Sequence, residues 1–97
     1  MKKFVKNKRG GVIMIGIIAV FRSRAETMRF NKEMKQIGAI CTLVSTPRQA
    51  GVGCGLSVKF KKANSPYALK ILRFGGYQTF AGFYEVNANG IKRINLP

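Results

Sequence analysis

In "VIMIGIIAVFRSRAE", residues 12–26, two hydrophobic patterns meet. The first ten residues are a continuous apolar run rich in β-branched side chains, of strand length and too short to cross a bilayer as a helix. Such a run predicts a central strand, covered on at least one face and flanked on both edges. Ser23 then opens a helix. "SRAE" (23–26) has the form of a capping box, in which the Ser23 hydroxyl accepts from the Glu26 amide while the Glu26 carboxylate reaches back to the Ser23 amide. Phe30, Met34 and Ile37 follow at i, i+4 and i+7 as an apolar stripe, Arg24, Arg29, Lys32 and Lys35 project from the other side, and Gly38 marks the far end.

Working outward, "AICTLV" (39–44) reads as a second strand whose Ala39, Cys41 and Leu43 share one apolar face, which assigns Cys41 to the core. "GLSVKF" (55–60) alternates, with Leu56, Val58 and Phe60 inward and Ser57 and Lys59 outward. "NSPYALKILRFGG" (64–76) predicts a short helix with Asn64 or Ser65 as cap, Pro66 at the first helical position, Ala68, Ile71, Leu72 and Gly75 as the buried stripe, and Gly75 as the stop. "FAGFYEV" (80–86) and "IKRINL" (91–96) flank Asn89 and Gly90, a pair that favours a tight hairpin turn. The order strand, helix, strand, strand, helix, strand, plus one edge strand, predicts an α+β, ferredoxin-like split βαβ domain. Right-handed crossover puts its third strand between the first and second, antiparallel to both, with the helices together on one face.

A chain of 97 residues with 46% hydrophobic content suits one core, so residues 12–97 are expected to form a single α+β domain. Residues 1–11, "MKKFVKNKRGG", carry Lys2, Lys3, Lys6, Lys8 and Arg9 and are expected to be a flexible basic tail. Eighteen Lys and Arg against three Glu give a net charge of +15, a field that attracts polyanions, acidic proteins and anionic surfaces. With no histidine, two cysteines and only Glu26, Glu33 and Glu85 as acids, the chain cannot build a closed zinc site, a carboxylate pair for acid–base chemistry, or a histidine-based triad. No metal or cofactor is expected, and a nucleophile must be activated by its electrostatic surroundings. The apolar run ends in "RSRAET" without a small-residue cleavage site, so it is not read as a signal peptide. No membrane insertion and a reducing cytoplasm with both thiols free are expected.

One thiol has the makings of a site. In "TPRQAGVGCGLSVKF" (46–60), Cys54 lies between Gly53 and Gly55 just before a strand. The split βαβ order brings it beside Phe21, Arg22 and the amino end of the first helix, where free amides together with Arg22, Arg24 and Arg48 favour thiolate over thiol. Gly51, Gly53 and Gly55 permit positive φ and so a small anion-binding loop. The competing reading makes Cys54, which shares its strand parity with Leu56, a small core residue.

Phe21, Ser23 and Ala25 at the strand-to-helix junction, then Gly38, "TPR" (46–48) and "CGL" (54–56) resemble the pattern of the small sulfur/selenium carrier-like domains, over residues 17 to about 60. The resemblance implies that Cys54 is the functional thiol and that Thr46, Pro47 and Arg48 shape the loop presenting it. Arg22, Arg24, Ser23, Gly53 and Gly55 then join Arg48 as candidates for stabilising the thiolate. It implies a carrier rather than a true enzyme, exchanging a sulfane sulfur or selenium with donor and acceptor proteins. The basic leader, the glycine-rich "AGVG" and the chain beyond residue 76 depart from the pattern. Two other readings stand beside it: an RNA-binding module using the basic surface and Tyr77, Phe80, Phe83 and Tyr84 for base stacking, and a non-catalytic docking or homo-oligomerising domain.

Overall fold

The computed structural model describes residues 4–6 and 12–96. In chain order these form β1 (Phe4–Lys6), β2 (Val12–Met14), β3 (Gly16–Phe21), α1 (Arg24–Gln36), β4 (Cys41–Ser45), β5 (Leu56–Phe60), α2 (Ser65–Phe74), β6 (Phe80–Asn87) and β7 (Gly90–Ile94), with short 3-10 turns at Arg48–Ala50 and Lys62–Asn64. Within the segment expected as a tail, Phe4–Lys6 pair antiparallel with Val12–Met14, and the other positions of 1–11 lie outside the described residues. The apolar run 12–21 is therefore two strands and not one. It breaks at Ile15, and Gly16, which opens β3, lies close to β5: a Cβ there would lie 3.0 Å from the Phe60 carbonyl oxygen.

The remaining strands form one antiparallel five-stranded sheet in the order β4-β5-β3-β6-β7. β5 lies between β4 and β3 and runs antiparallel to both. Both helices cover the same face. Phe30 and Met34 of α1 and Ala68 of α2 pack on Ile17, Ala19 and Phe21 of β3, Val58 and Phe60 of β5, and Phe83 of β6, with Cys41, Leu43, Ile71 and Leu72 around them. No helix among the described residues is long and apolar enough to cross a membrane.

The sheet's other face is also partly covered. Ile18 and Val20 pack there with Ala50 and Tyr84. The segment after β4 folds back beneath the sheet to reach them, and the Tyr84 hydroxyl donates to the Ala50 carbonyl at 3.3 Å. This overturns one expectation. Ser57 does sit on the face away from the helices, yet it is wholly buried, because the returning segment covers it and Thr46 Oγ1 lies 2.6 Å from Ser57 Oγ. The rings considered for base stacking are packed instead. Phe83 and Tyr84 are buried, and Phe21 meets Phe30 at 5.1 Å, Tyr77 at 5.4 Å and Phe80 at 5.4 Å between ring centroids.

Ends of elements differ from expectation in small ways with clear causes. Asn64 is the residue preceding α2, but its side chain makes no cap; the amide reaches the Ile40 carbonyl at 3.4 Å, tying the start of α2 to the chain just before β4. The hairpin turn consists of Ala88 and Asn89, with Gly90 already paired to Asn87, one residue earlier than expected. The Asn87 side chain sets that position by accepting from the Asn89 amide at 2.8 Å.

Because Phe21 is wholly buried at the centre of the aromatic cluster, Phe21→Ala is expected to cost about 3–5 kcal/mol in urea-induced unfolding. The exposed Phe74→Ala, measured in parallel, should change stability by less than about 0.5 kcal/mol.

Candidate functional site

Ser23 closes the amino end of α1, its hydroxyl accepting from the Glu26 amide at 3.2 Å. The second half of the expected capping box is absent. Glu26 turns outward to the chain before β6, where its carboxylate accepts from the Thr79 amide at 2.8 Å, the Thr79 hydroxyl at 2.6 Å and the Gln78 amide at 3.0 Å. Thr79 Oγ1 in turn accepts from the Ser23 amide at 3.2 Å, and the Thr79 carbonyl accepts from the Arg22 amide at 2.9 Å. Thr79 thus substitutes for the glutamate at the cap, and the 77–80 connection is locked to the start of α1.

Cys54 meets this corner from the other side. Its amide donates to the Phe21 carbonyl at 3.0 Å, which sets the sulfur against the first turn of α1. Gly53 is required for the approach: its φ is +106°, and a Cβ would lie 2.7 Å from Val20 Cγ1. The thiol is half-buried, with Sγ 3.4 Å from Thr27 Oγ1 and 3.5 Å from the Leu56 carbonyl oxygen.

Burial pushes this thiol up, but hydrogen bonding from the Thr27 hydroxyl, backbone hydrogen bonding at Leu56 and at Cys54 itself, and the Arg24 guanidinium together outweigh it, so the thiol is held below its ordinary value. Thr27 has a single hydroxyl proton and two claims on it, because Oγ1 also donates to the Ser23 carbonyl at 3.0 Å. Between Thr27 and a neutral thiol either atom can donate, whereas toward a thiolate only the hydroxyl can.

The candidate residues divide between two places. Ser23, Arg24 and Cys54 come together at the α1 corner, and Arg22 is held there by its backbone with an exposed side chain. Thr46, Pro47, Arg48, Gly53 and Gly55 line an open depression of about 300 Å³ with Gly51 and Val52, and Cys54 is not part of that lining. Gly51, Gly53 and Gly55 all have positive φ, as expected, but the Gly51 amide donates to Arg48 and the Cys54 amide to Phe21, so these two donors face inward. The helix-end donors are likewise partly engaged, by Ser23 Oγ and Thr79 Oγ1. Among the contacts that lower this thiol, the Thr27 hydroxyl is the largest.

Thr27 and Thr79 escaped the sequence reading. Thr27 left a trace: it lies three residues before Phe30 on the buried stripe of α1, and a polar side chain wholly buried there requires a partner. Thr79 left none.

The second thiol behaves oppositely. Burial pushes Cys41 up, only partly offset by Lys35, and its sulfur contacts Asn31 Oδ1 at 3.3 Å. Cys41 pairs with Phe60 in the β4–β5 ladder, whereas Leu56, beside Cys54, pairs with Ser45. Four residues of strand separate the two ends, about 13 Å at roughly 3.3 Å per residue, so the cysteines are too far apart to bridge.

Thr27→Val is expected to move the pH midpoint of Cys54 alkylation upward and to slow the reaction at neutral pH, with Thr27→Ser retaining the wild-type midpoint; an unmoved midpoint in the valine variant would refute the assignment. Glu26 supplies a second, pH-linked test. The Thr79 hydroxyl, the Gln78 and Thr79 amides and Arg29 hold its carboxyl below the ordinary value of 4.5 against a small opposing effect of burial. Its contribution to stability is therefore complete above that value and lost as pH falls through the lower folded one. Unfolding midpoints measured from neutral to acid pH should drop less steeply in Glu26→Gln than in the wild type.

A family model described as "Putative Se/S carrier protein-like" matches residues 16–85. No curated protein and no solved structure gives a match. The matched span runs from β3 into β6 and leaves β7 outside, so the strand that continues the sheet beyond Phe80 falls within the shared region up to Glu85. Containing both helices, the Ser23 corner and the whole Cys54 loop in that span, the chain belongs to the Se/S carrier protein-like family.

Proposed function

We propose that the protein carries one sulfane sulfur or selenium atom on Cys54 Sγ and passes it between donor and acceptor proteins. The observation that supports this most directly is the half-buried sulfur against the first turn of α1, in contact with Thr27 Oγ1 and under the influence of Arg24. Loading begins with the Cys54 thiolate attacking the outer sulfur of a donor persulfide. The new S–S bond forms as the donor's breaks, the electron pair leaves on the donor thiolate, and that thiolate takes a proton from solvent. The oxidation level travels with the transferred atom, so no separate oxidant or reductant is consumed. Discharge is the same exchange in reverse order: an acceptor nucleophile attacks the outer atom and Cys54 leaves as thiolate. A perselenide donor follows the same course with selenium as the outer atom.

Thr27 and Arg24 then stabilise the sulfur anion before loading and after discharge, while Thr46, Pro47 and Arg48 form the rim that a donor meets. We read the scaffold as a ferredoxin-like split βαβ with β7 as an added edge strand, a reading supported by β5 lying between β3 and β4 with both helices on one face. A reducing cytoplasm is the compartment in which such a thiol stays free.

Intact mass after incubation with a low-molecular-weight persulfide tests site and chemistry together. Wild type and Cys41→Ser are expected to gain one sulfur that a reductant removes, and Cys54→Ser to gain none. Loading of Cys54→Ser to the wild-type extent would sink the proposal.

A further inference from the structure

The outer side of α1 forms an open groove of about 730 Å³ lined by Met28, Arg29, Asn31, Lys32, Lys35 and Gln36. Three features set it apart. Its ridge runs back to the first turn of α1, the turn whose Thr27 contacts the thiol: Arg24, Met28 and Lys32 succeed one another at four-residue intervals, and Lys35 follows three residues later, so they stack along one side of the helix. Arg24, the cation acting on Cys54, stands at one end, and Lys35 lies about 16 Å further along the axis at about 1.5 Å per residue. The groove also places an apolar side chain among cations, since Met28 is 44% exposed between Arg24 and Lys32. Finally, among the described residues no ion pair reaches Lys32 or Lys35, and Glu33, the acid nearest the groove, is taken up by Arg29. Glu26 is held by Gln78 and Thr79, Glu33 by Arg29 and the Tyr77 hydroxyl, and Glu85 lies across the ladder from Lys92.

We propose that this ridge of α1, from Arg24 through Met28 and Lys32 to Lys35, is the docking surface for an acidic amphipathic segment of the protein that exchanges sulfur or selenium with Cys54. The inference builds on the carrier reading and adds the chemistry of the partner. Lysines spaced by a helical turn match carboxylates at the same spacing on a helix laid alongside. Met28, with its flexible thioether, accepts an apolar side chain from the middle of that helix. A nucleic acid would meet the lysines but has no apolar stripe for Met28, and the aromatic rings that could have stacked its bases are packed in the core. An acidic segment seated here ends beside Arg24, which brings a reactive group at its end to the sulfur.

The probe is a fluorescently labelled synthetic peptide in which Glu and Leu fall on opposite faces of a helix, titrated with the full chain and followed by anisotropy. A scrambled peptide of equal charge and a single-stranded RNA of matching charge serve as comparisons. Wild type and Cys54→Ser are expected to bind the amphipathic peptide alike. Lys32→Glu combined with Lys35→Glu should weaken binding by about tenfold or more. Met28→Ser should weaken it severalfold with no change of charge. These side chains are exposed, and the milder pair Lys32→Gln with Lys35→Gln, expected to give an intermediate loss, guards against a folding defect in the reversal. Absence of binding to the wild type, undiminished binding by the charge-reversal variant, equal affinity for the scrambled peptide, or preference for RNA would each overturn the proposal. No readout depends on sulfur, so docking and persulfide loading succeed or fail separately.

Discussion

Phe21 serves the structure with both its ring and its backbone, and the site cannot be separated from either. The ring is the centre of the aromatic cluster that joins β3 to α1, to Tyr77 and to the start of β6. The carbonyl accepts the Cys54 amide and so fixes the loop before β5 to the end of β3. Burial of the ring anchors the last residue of β3 in the core, and its carbonyl places Cys54 at the first turn of α1.

In a chain with eighteen basic residues and three acids, two of the acids tie the connection before β6 to α1. Glu26 gathers the Gln78 and Thr79 amides and the Thr79 hydroxyl, and so carries the connection before β6 to the helix end. Glu33 bridges Arg29 and Tyr77, whose hydroxyl burial and the neighbouring carboxylate hold protonated well above its usual range. These links leave the cations of the outer helix face directed at solvent, the condition under which a +15 surface acts on other molecules.

The two cysteines show how local geometry outweighs composition. Both are half-buried and both are disfavoured as anions by desolvation. At Cys41 the neighbouring Asn31 oxygens accept a hydrogen bond from the thiol and burial pushes it up. At Cys54 the neighbour is a hydroxyl able to reverse its donor direction, with a guanidinium nearby. The same side chain is therefore pushed up in one place, where burial dominates, and held below its ordinary value in the other, where hydrogen bonds and Arg24 outweigh burial.

Periodicity carried the secondary structure a long way. The apolar stripe of α1, the Ser23 cap, the Gly38 and Gly75 stops, Pro66 at the head of α2 and the alternation of β5 all depend on residues within a turn or two of one another, and short-range sterics and hydrogen bonding act before any tertiary contact. Cys54 beside Phe21 was also legible, because a strand order limits which ends can be neighbours. Other features required the folded chain: the break between β2 and β3; the burial of Ser57, set by a loop returning under the sheet; and the exchange of Glu26 for Thr79 at the cap, a contact spanning more than fifty residues of sequence. Thr27 stands between these cases, its buried position readable from the stripe and its partner not. The amino-acid sequence by itself determined the two helices and the strands β4 to β7 to within a residue or two of their ends, since those follow from local backbone preference and hydrophobic period. Only the tertiary structure decided which hydroxyl faces the sulfur and which amides remain for it, because side-chain hydrogen bonds are allotted by the packing of segments far apart in the chain.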